Sequence, residues 1–177
     1  AKKQGLRTDP EYVRFIEDWA KVTFIVPPRM DKYISVNMEI QGIFQNYGSP
    51  NDIYPYSIDE GFIDLSSSLN YFVPDKQLSR KQKLDLISAK IQRDIWRQTG
   101  IYSTVGMSNA NPLLAKLALD NEAKKTPTMR ANWSYEDVEQ KVWAIPNMTD
   151  FWGIGKRMEK RFNTLGIHSI KDLANAN

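Results

Sequence analysis

The segment from Ile53 to Ser67, IYPYSIDEGFIDLSS, constrains this chain more than any other. Two short runs of β-branched and aromatic residues flank adjacent Asp59 and Glu60, the pattern of a β-hairpin with an acidic pair at or near its turn. A lone hairpin is marginal in water and needs other elements to cover a face. Helical spacing supplies them on both sides. Upstream, Tyr33, Val36, Ile40, Ile43 and Tyr47 mark an amphipathic helix, stopped by Gly48-Ser49-Pro50. Downstream, Ser79 opens a capping box with Gln82, and Leu84, Ile87, Ile91 and Ile95 continue one helical face to Gly100.

Ile101 to Met107 reads as a buried strand, and Asn111-Pro112 caps a helix running from Leu113 to about Lys125. At the front, Asp9-Pro10 reads as the N-cap and first position of a helix reaching about Ala20. A strand over Val22 to Val26 follows, stopped by Pro27-Pro28. Strand, helix, hairpin, helix, strand, helix predicts an α+β fold, an antiparallel or mixed sheet with helices on one face. Thr126 to Trp133 reads as a linker. A small helical unit follows, with a helix near Asp137 to Val142 and then FWGIGKRMEKRFNTLGIHSIKDLA.

Residue usage removes several chemistries. Without cysteine there is neither a disulfide nor a thiolate metal site, and with His168 as the only histidine there is no His-pair zinc site and little scope for Ser-His catalysis. No apolar run approaches the roughly 20 residues of a membrane span and no signal peptide opens the chain, so the expected setting is the cytoplasm, with no membrane partner. The net charge of +3 is too small to imply nucleic acid by itself. Its distribution is more informative: Lys76 to Arg97 holds seven basic and two acidic residues, and Gly153 to Arg161 four and one. Such clusters suit a phosphate backbone, although on charge alone a solvated helix face is the plainer reading.

Adjacent carboxylates in a regular strand point to opposite faces. At a turn that alternation breaks, and both can address one site. Held close they repel unless a cation lies between them. Mg²⁺ fits, since it takes oxygen ligands and keeps positions for water and phosphate. Two such ions about 4 Å apart clamp an in-line phosphoryl or nucleotidyl transfer. The plainer reading is an acidic surface turn. Further along, Gly153-Ile154-Gly155 between two short helices, with Lys156 and Arg157 opening the second, is a helix-hairpin-helix pattern. Its backbone N–H groups would meet a DNA phosphate at a helix N-terminus. Leu165-Gly166-Ile167, and Ser169 capping Asp172-Leu173, extend the pattern. Trp143, Phe151 and Trp152 read as packing residues, and His168 as a packed or solvated one.

Ser57-Ile58-Asp59-Glu60-Gly61-Phe62-Ile63-Asp64 closely resembles the SIDEAFLD motif of Y-family translesion DNA polymerases, with Gly61 in place of the commoner Ala. Val26-Pro27-Pro28-Arg29-Met30 with Tyr33 resembles that family's return from fingers to palm. Val105-Gly106-Met107-Ser108, Asn109 and Leu113 to Ala118 resemble its GIS-x-NKLLAKLA segment, with Asn111-Pro112 interrupting the usual Asn-Lys. The matches run in unbroken order from about Ala1 to Asn177 and resemble the UmuC-like branch of Gram-positive bacteria and their mobile elements more than the DinB-like branch.

The resemblance implies a fingers remnant over residues 1–26, a catalytic palm over 27–128 and a helix-hairpin-helix thumb over 129–177. It implies Asp59 and Glu60 as catalytic and metal-binding carboxylates for Mg²⁺, two ions in the full-length enzyme. Asp64 and Ser57 take supporting or structural roles. It implies Lys124 on the triphosphate, with Lys125 a close alternative, and Gly153, Gly155, Lys156 and Arg157 on DNA. Expected partners are primer-template DNA and a deoxynucleoside triphosphate, with a sliding clamp reached through other regions, in a nucleoid-associated setting.

The chain opens AKKQGLRTDPEY and closes SIKDLANAN, so both ends are expected to be cut from a longer protein. The family's first palm strand with its further Asp, its steric gate and fingers Tyr/Arg pair, and its little finger are not matched. The fragment alone is therefore expected to be inactive, and a palm edge left open in this way invites a non-native dimer. The alternative is a non-catalytic DNA-binding module that uses the helix-hairpin-helix.

Overall fold

The computed structural model describes residues 10–176. Two compact units divide the chain, residues 1–32 and 33–177. In the first, α1 spans Pro10–Val22, with Pro10 at its first position as expected. The proposed cap Asp9 lies outside the described residues. The strand expected over Val22 to Val26 is not formed: Val22 ends α1 and residues 23–29 join no ladder. A β-branched run becomes a strand only where a neighbour takes up its backbone bonds, and none of the described residues does so here.

α2, Met30–Phe44, begins the larger unit's architecture and buries Ile43. A single 3₁₀ turn at Pro50–Asp52 leads into the hairpin of β1, Ile53–Pro55, and β2, Gly61–Ile63. These pair antiparallel, Ile53 opposite Ile63 and Pro55 opposite Gly61. After the short α3, Leu69–Phe72, comes α4, Arg80–Thr99, whose Ser79–Gln82 capping box is formed as the sequence predicts. Ile87, Ile91 and Ile95 of α4 pack with Ile43, Tyr47, Leu65 and Leu69 into one core.

The expected strand Ile101 to Met107 shortens to β3, Val105–Met107. Its first residues have no strand partner, and Tyr102 instead stacks on Trp96 with ring centres 6.0 Å apart. α5, Pro112–Asn121, is capped by Asn111, whose side chain accepts the Leu114 N–H at 2.9 Å. It ends one turn earlier than predicted, because the Asn121 side chain donates back to the Leu117 carbonyl at 3.0 Å and Ala123–Lys125 form a separate 3₁₀ turn.

The expected linker contains a strand, β4, Arg130–Asn132, pairing parallel with β3. Arg130 is fixed there by Asp85 and by the side-chain oxygen of Gln92, each at 2.9 Å. The α+β class therefore holds, but among the described residues the sheet is two separate two-stranded ladders rather than one continuous surface.

The predicted helix near Asp137 to Val142 is a 3₁₀ turn, Tyr135–Asp137, followed by a π turn, Val138–Val142. Then come a 3₁₀ turn at Met148–Asp150, α6, Lys156–Thr164, and α7, Ile170–Ala174, with Ser169 capping Asp172. A second core joins Leu114, Leu117 and Ala118 of α5 to Ala131, Trp133, Val142, Ile145, Met148 and Ile170. Within the described residues no helix is long and apolar enough to cross a membrane.

Candidate active site and nucleic-acid interface

The turn between β1 and β2 closes through the Glu60 carbonyl, which accepts the N–H groups of Tyr56 and Ser57 at 3.0 Å each. α2 holds the turn from outside: the Asn37 side-chain amide donates to the carbonyls of Ser57, at 2.9 Å, and Ile58, at 2.6 Å. Asp59 is thus presented at the exposed tip, with its Oδ1 accepting the Ser57 hydroxyl at 2.8 Å. Glu60 is half-buried, and its Oε1 accepts Lys116 Nζ at 2.6 Å.

Lys116 comes from α5 and keeps only 10% of its side chain exposed. It also reaches Asp120 at 3.0 Å, and Asp120 in turn binds Lys124 at 2.7 Å. Burial pushes the Lys116 ammonium down, but Glu60 and Asp120 outweigh it and hold its pKa above the usual lysine value. Burial pushes Asp120 up, and Lys124 and Lys116 outweigh that too, leaving it below the usual carboxylate range. The run Glu60, Lys116, Asp120, Lys124 alternates in sign from the hairpin to the end of α5.

α5 can carry Lys116 to the hairpin because it lies hard against β3. A Cβ on Gly106 would stand 2.0 Å from the Ala115 carbonyl oxygen and 2.6 Å from the Leu119 nitrogen. Both are backbone atoms of α5, so only glycine fits. At Gly61 the corresponding neighbour, at 2.8 Å, is the movable amide of Gln41.

For a divalent cation the donor chemistry fits and the set is small. Asp59 Oδ2 and Glu60 Oε2 have no hydrogen-bond partner among the described residues, and hard oxygens of this kind suit Mg²⁺. No third acidic or histidine side chain joins them into a cluster among the described residues. Asp64 faces elsewhere: its Oδ1 accepts the Ser66 N–H at 2.8 Å, and bonds from Ser66 hold its carboxyl below the usual range.

A cleft of about 650 Å³ is lined by Asp120, Lys125, Asp150, Trp152, Gly153 and Gly155, among others. It brings the end of α5 together with the predicted glycine turn. Lys125 lines it, whereas Lys124, 54% exposed, is held by Asp120. Gly153 has φ +92°, a conformation that favours glycine, while Gly155 is the extended N-cap of α6. Lys156 and Arg157 are exposed in the first turn of α6.

Trp143 and Phe151 pack on the second core. Trp152 is exposed and meets Tyr56 of the hairpin edge-on, with ring centres 6.0 Å apart. His168 is exposed, its Nδ1 3.1 Å from the Asn163 side-chain oxygen. Sequence reasoning singled out the hairpin and the glycine turn but missed Lys116, Asp120 and Asn37. The four-residue spacings Lys116–Asp120 and Asp120–Lys124 were a usable signal. Nothing local marks Asn37.

Residues 1–120 match the impB/mucB/samB family, and residues 135–167 match the IMS family HHH motif. The chain is 36% identical over 173 residues to "Putative UV-damage repair protein UvrX" of Bacillus subtilis, covering 98% of this chain and 38% of that protein. It is 33% identical over 175 residues to "DNA polymerase IV 2" of Halalkalibacterium halodurans, covering 99% and 39%. The chain therefore spans about two fifths of the length of these curated relatives. Its fold is similar to DinB from Sulfolobus solfataricus, with a TM-score of 0.68 at 23% identity over 99% of this chain and 47% of that one. The insertion ternary complex of Dbh DNA polymerase gives 0.71 at 23% identity, covering 99% and 46%.

Proposed function

Because the chain belongs to the impB/mucB/samB family, we propose that it is the palm-and-thumb portion of a damage-bypass DNA polymerase performing template-directed nucleotidyl transfer. The observation that carries this is the acidic hairpin, set by Asn37 and tied to α5 through Lys116. It is supported by relatives named DNA polymerase IV. The fingers remnant is assigned to residues 1–26, the palm to 27–128 and the thumb to 129–177, with β4 pairing back onto β3 across the last boundary.

In this reading Asp59 and Glu60 hold Mg²⁺, two ions in the full-length enzyme. When bound, the metal stabilises charge on the transferring phosphate. Lys116 fixes one oxygen of Glu60 and leaves the other without a hydrogen-bond partner among the described residues. Lys124, with Lys125 beside the cleft, neutralises the triphosphate. Gly153 and Gly155 let backbone N–H groups approach the DNA phosphate backbone, and Lys156 and Arg157 add charge without reading sequence.

Primer-template DNA and a deoxynucleoside triphosphate are the substrates. Sliding-clamp contacts belong to parts of the protein beyond these residues, and the protein works in the cytoplasm at the nucleoid. These 177 residues alone do not extend primers, and an exposed palm edge pairs two copies into a non-native dimer. A monomer in size-exclusion light scattering would remove the dimer.

Primer extension with Mg²⁺ by the intact protein, by these residues alone, and by Asp59→Ala and Glu60→Ala forms of the intact protein tests the assignment. Extension by the intact protein only, lost in either variant, is expected. An intact protein that binds primer-template yet never extends it would leave a DNA-binding module instead.

A further inference from the structure

A second concave site lies at the start of α4 and shares no lining residue with the first cleft. It encloses about 250 Å³ and is lined by Ser66, Leu69, Asn70, Leu78, Arg80 and Lys83. Lys83 is 7% exposed, and its ammonium binds the neutral side-chain oxygen of Asn70 at 2.8 Å. No carboxylate lies within ion-pair distance of it among the described residues. A buried cation normally requires a counter-charge, because leaving water is costly and a neutral amide returns only part of that cost.

The helix itself sharpens the imbalance. α4 opens Arg80-Lys81-Gln82-Lys83, with no acidic residue in its first turn. Cations are unfavourable at this positive end of a helix dipole, where an anion is favoured. Lys81 is answered by Asp137 at 2.9 Å. Arg80 reaches only the Ser66 hydroxyl, at 3.1 Å, and is in ion-pair contact with no carboxylate among the described residues. Asp64 is close enough to feel the Arg80 charge, but it is in ion-pair contact with neither cation, accepts the Ser66 N–H, and offsets only one of the two charges. Two cations, a hydroxyl, an amide and a helix N-terminus thus converge on one concavity with a surplus of positive charge.

We propose that this pocket binds a phosphate-class oxyanion, held by Lys83 and Arg80 with the side chains of Ser66 and Asn70. The anion supplies the counter-charge that Lys83 lacks and relieves the cations at the start of α4. The source is a backbone phosphate of nucleic acid or a free phosphate or phosphomonoester, and the chemistry is common to them. The site also accounts for part of the basic run Lys76 to Arg97, which the polymerase assignment leaves unused.

Equilibrium dialysis of radiolabelled orthophosphate against the intact protein tests it, alongside thermal unfolding in rising phosphate. Saturable binding at millimolar or lower concentration and a phosphate-dependent rise in Tm are expected. Lys83→Met, which keeps the apolar stem, is expected to weaken binding about tenfold and abolish the Tm rise. Arg80→Gln is expected to act in the same direction, and Arg97→Gln, at the far end of α4, to change nothing. Duplex DNA that displaces the label from wild type identifies a nucleic-acid phosphate as the source; displacement by phosphomonoesters alone identifies a free one. Absence of saturable binding in wild type, or equal binding in a folded Lys83→Met protein, would overturn the proposal. Neither result depends on primer extension.

Discussion

The acidic hairpin and the β3–α5 contact are joined through Lys116 of α5 and are built on opposite principles. The hairpin has two three-residue strands, and its turn is set by side-chain hydrogen bonds from Asn37 and the pair Lys116–Glu60. The β3–α5 contact is a steric lock, with the backbone of α5 seated where a side chain of residue 106 would be. Polar restraints can be lengthened or exchanged for other partners, but a backbone clash cannot. The chain thus seats α5 firmly on β3 and ties Glu60 to it, leaving Asp59 on the hairpin, by polar contacts that a cation or substrate is able to rearrange.

The largest effect is expected where the lock is tightest. Gly106→Ala should cost about 3 kcal/mol or more, read by chemical denaturation or as failure to accumulate in soluble form. Its counterpart Gly61→Ala should cost under about 0.5 kcal/mol, since only the Gln41 amide has to move. Similar losses in the two variants would break the contrast.

Next comes Lys116→Met, which leaves Glu60, 29% exposed, without its cation. A loss of about 1–3 kcal/mol is expected by denaturation, smaller in high salt. In the intact protein the same change should lower primer extension more than it lowers stability.

Gly153→Ala should cost about 1 kcal/mol, because φ +92° burdens any Cβ, while Gly155→Ala should be close to neutral for folding. If Gly155→Ala nevertheless weakens duplex binding, the second glycine serves DNA approach rather than the turn.

The smallest effect concerns pH. Backbone hydrogen bonding at Ser134, with Lys81 nearby, holds the Asp137 carboxyl down at about 2. A depressed carboxylate contributes stability above its unfolded value of 3.8 and loses it as pH falls through about 2. Asp137→Asn should therefore cost about 1 kcal/mol near neutrality, and its difference from wild type should vanish across that acid window. A difference unchanged at pH 2 would mean that the carboxylate charge is irrelevant to the cap.

Much of this was legible from spacing and caps. The caps at Ser79, Asn111 and Ser169 are local devices whose partners lie three residues away, and all three form. The strands were harder to read. Arg130-Ala131-Asn132 carries no apolar alternation and becomes a strand through β3 and through Asp85 and Gln92, some forty residues upstream. Val22 to Val26 has the right composition and, among the described residues, no partner. At the site, Asp59 and Glu60 announce themselves by adjacency. Lys116 is hidden within an apolar helical run, and its function depends on where a hairpin 56 residues earlier returns in space.

The parallel pairing of β3 with β4 has a consequence for the order of synthesis. Residue 105 finds its strand partner only when residue 130 has emerged, and α4 waits equally long for Arg130 to occupy Asp85 and Gln92. Pairings across such separations form late, because loop closure precedes any gain from contact. A nascent chain reaching residue 128 therefore holds its acidic hairpin and most of its helices but leaves β3 without a strand partner, and the ladder is completed only once Arg130, Ala131 and Asn132 have followed.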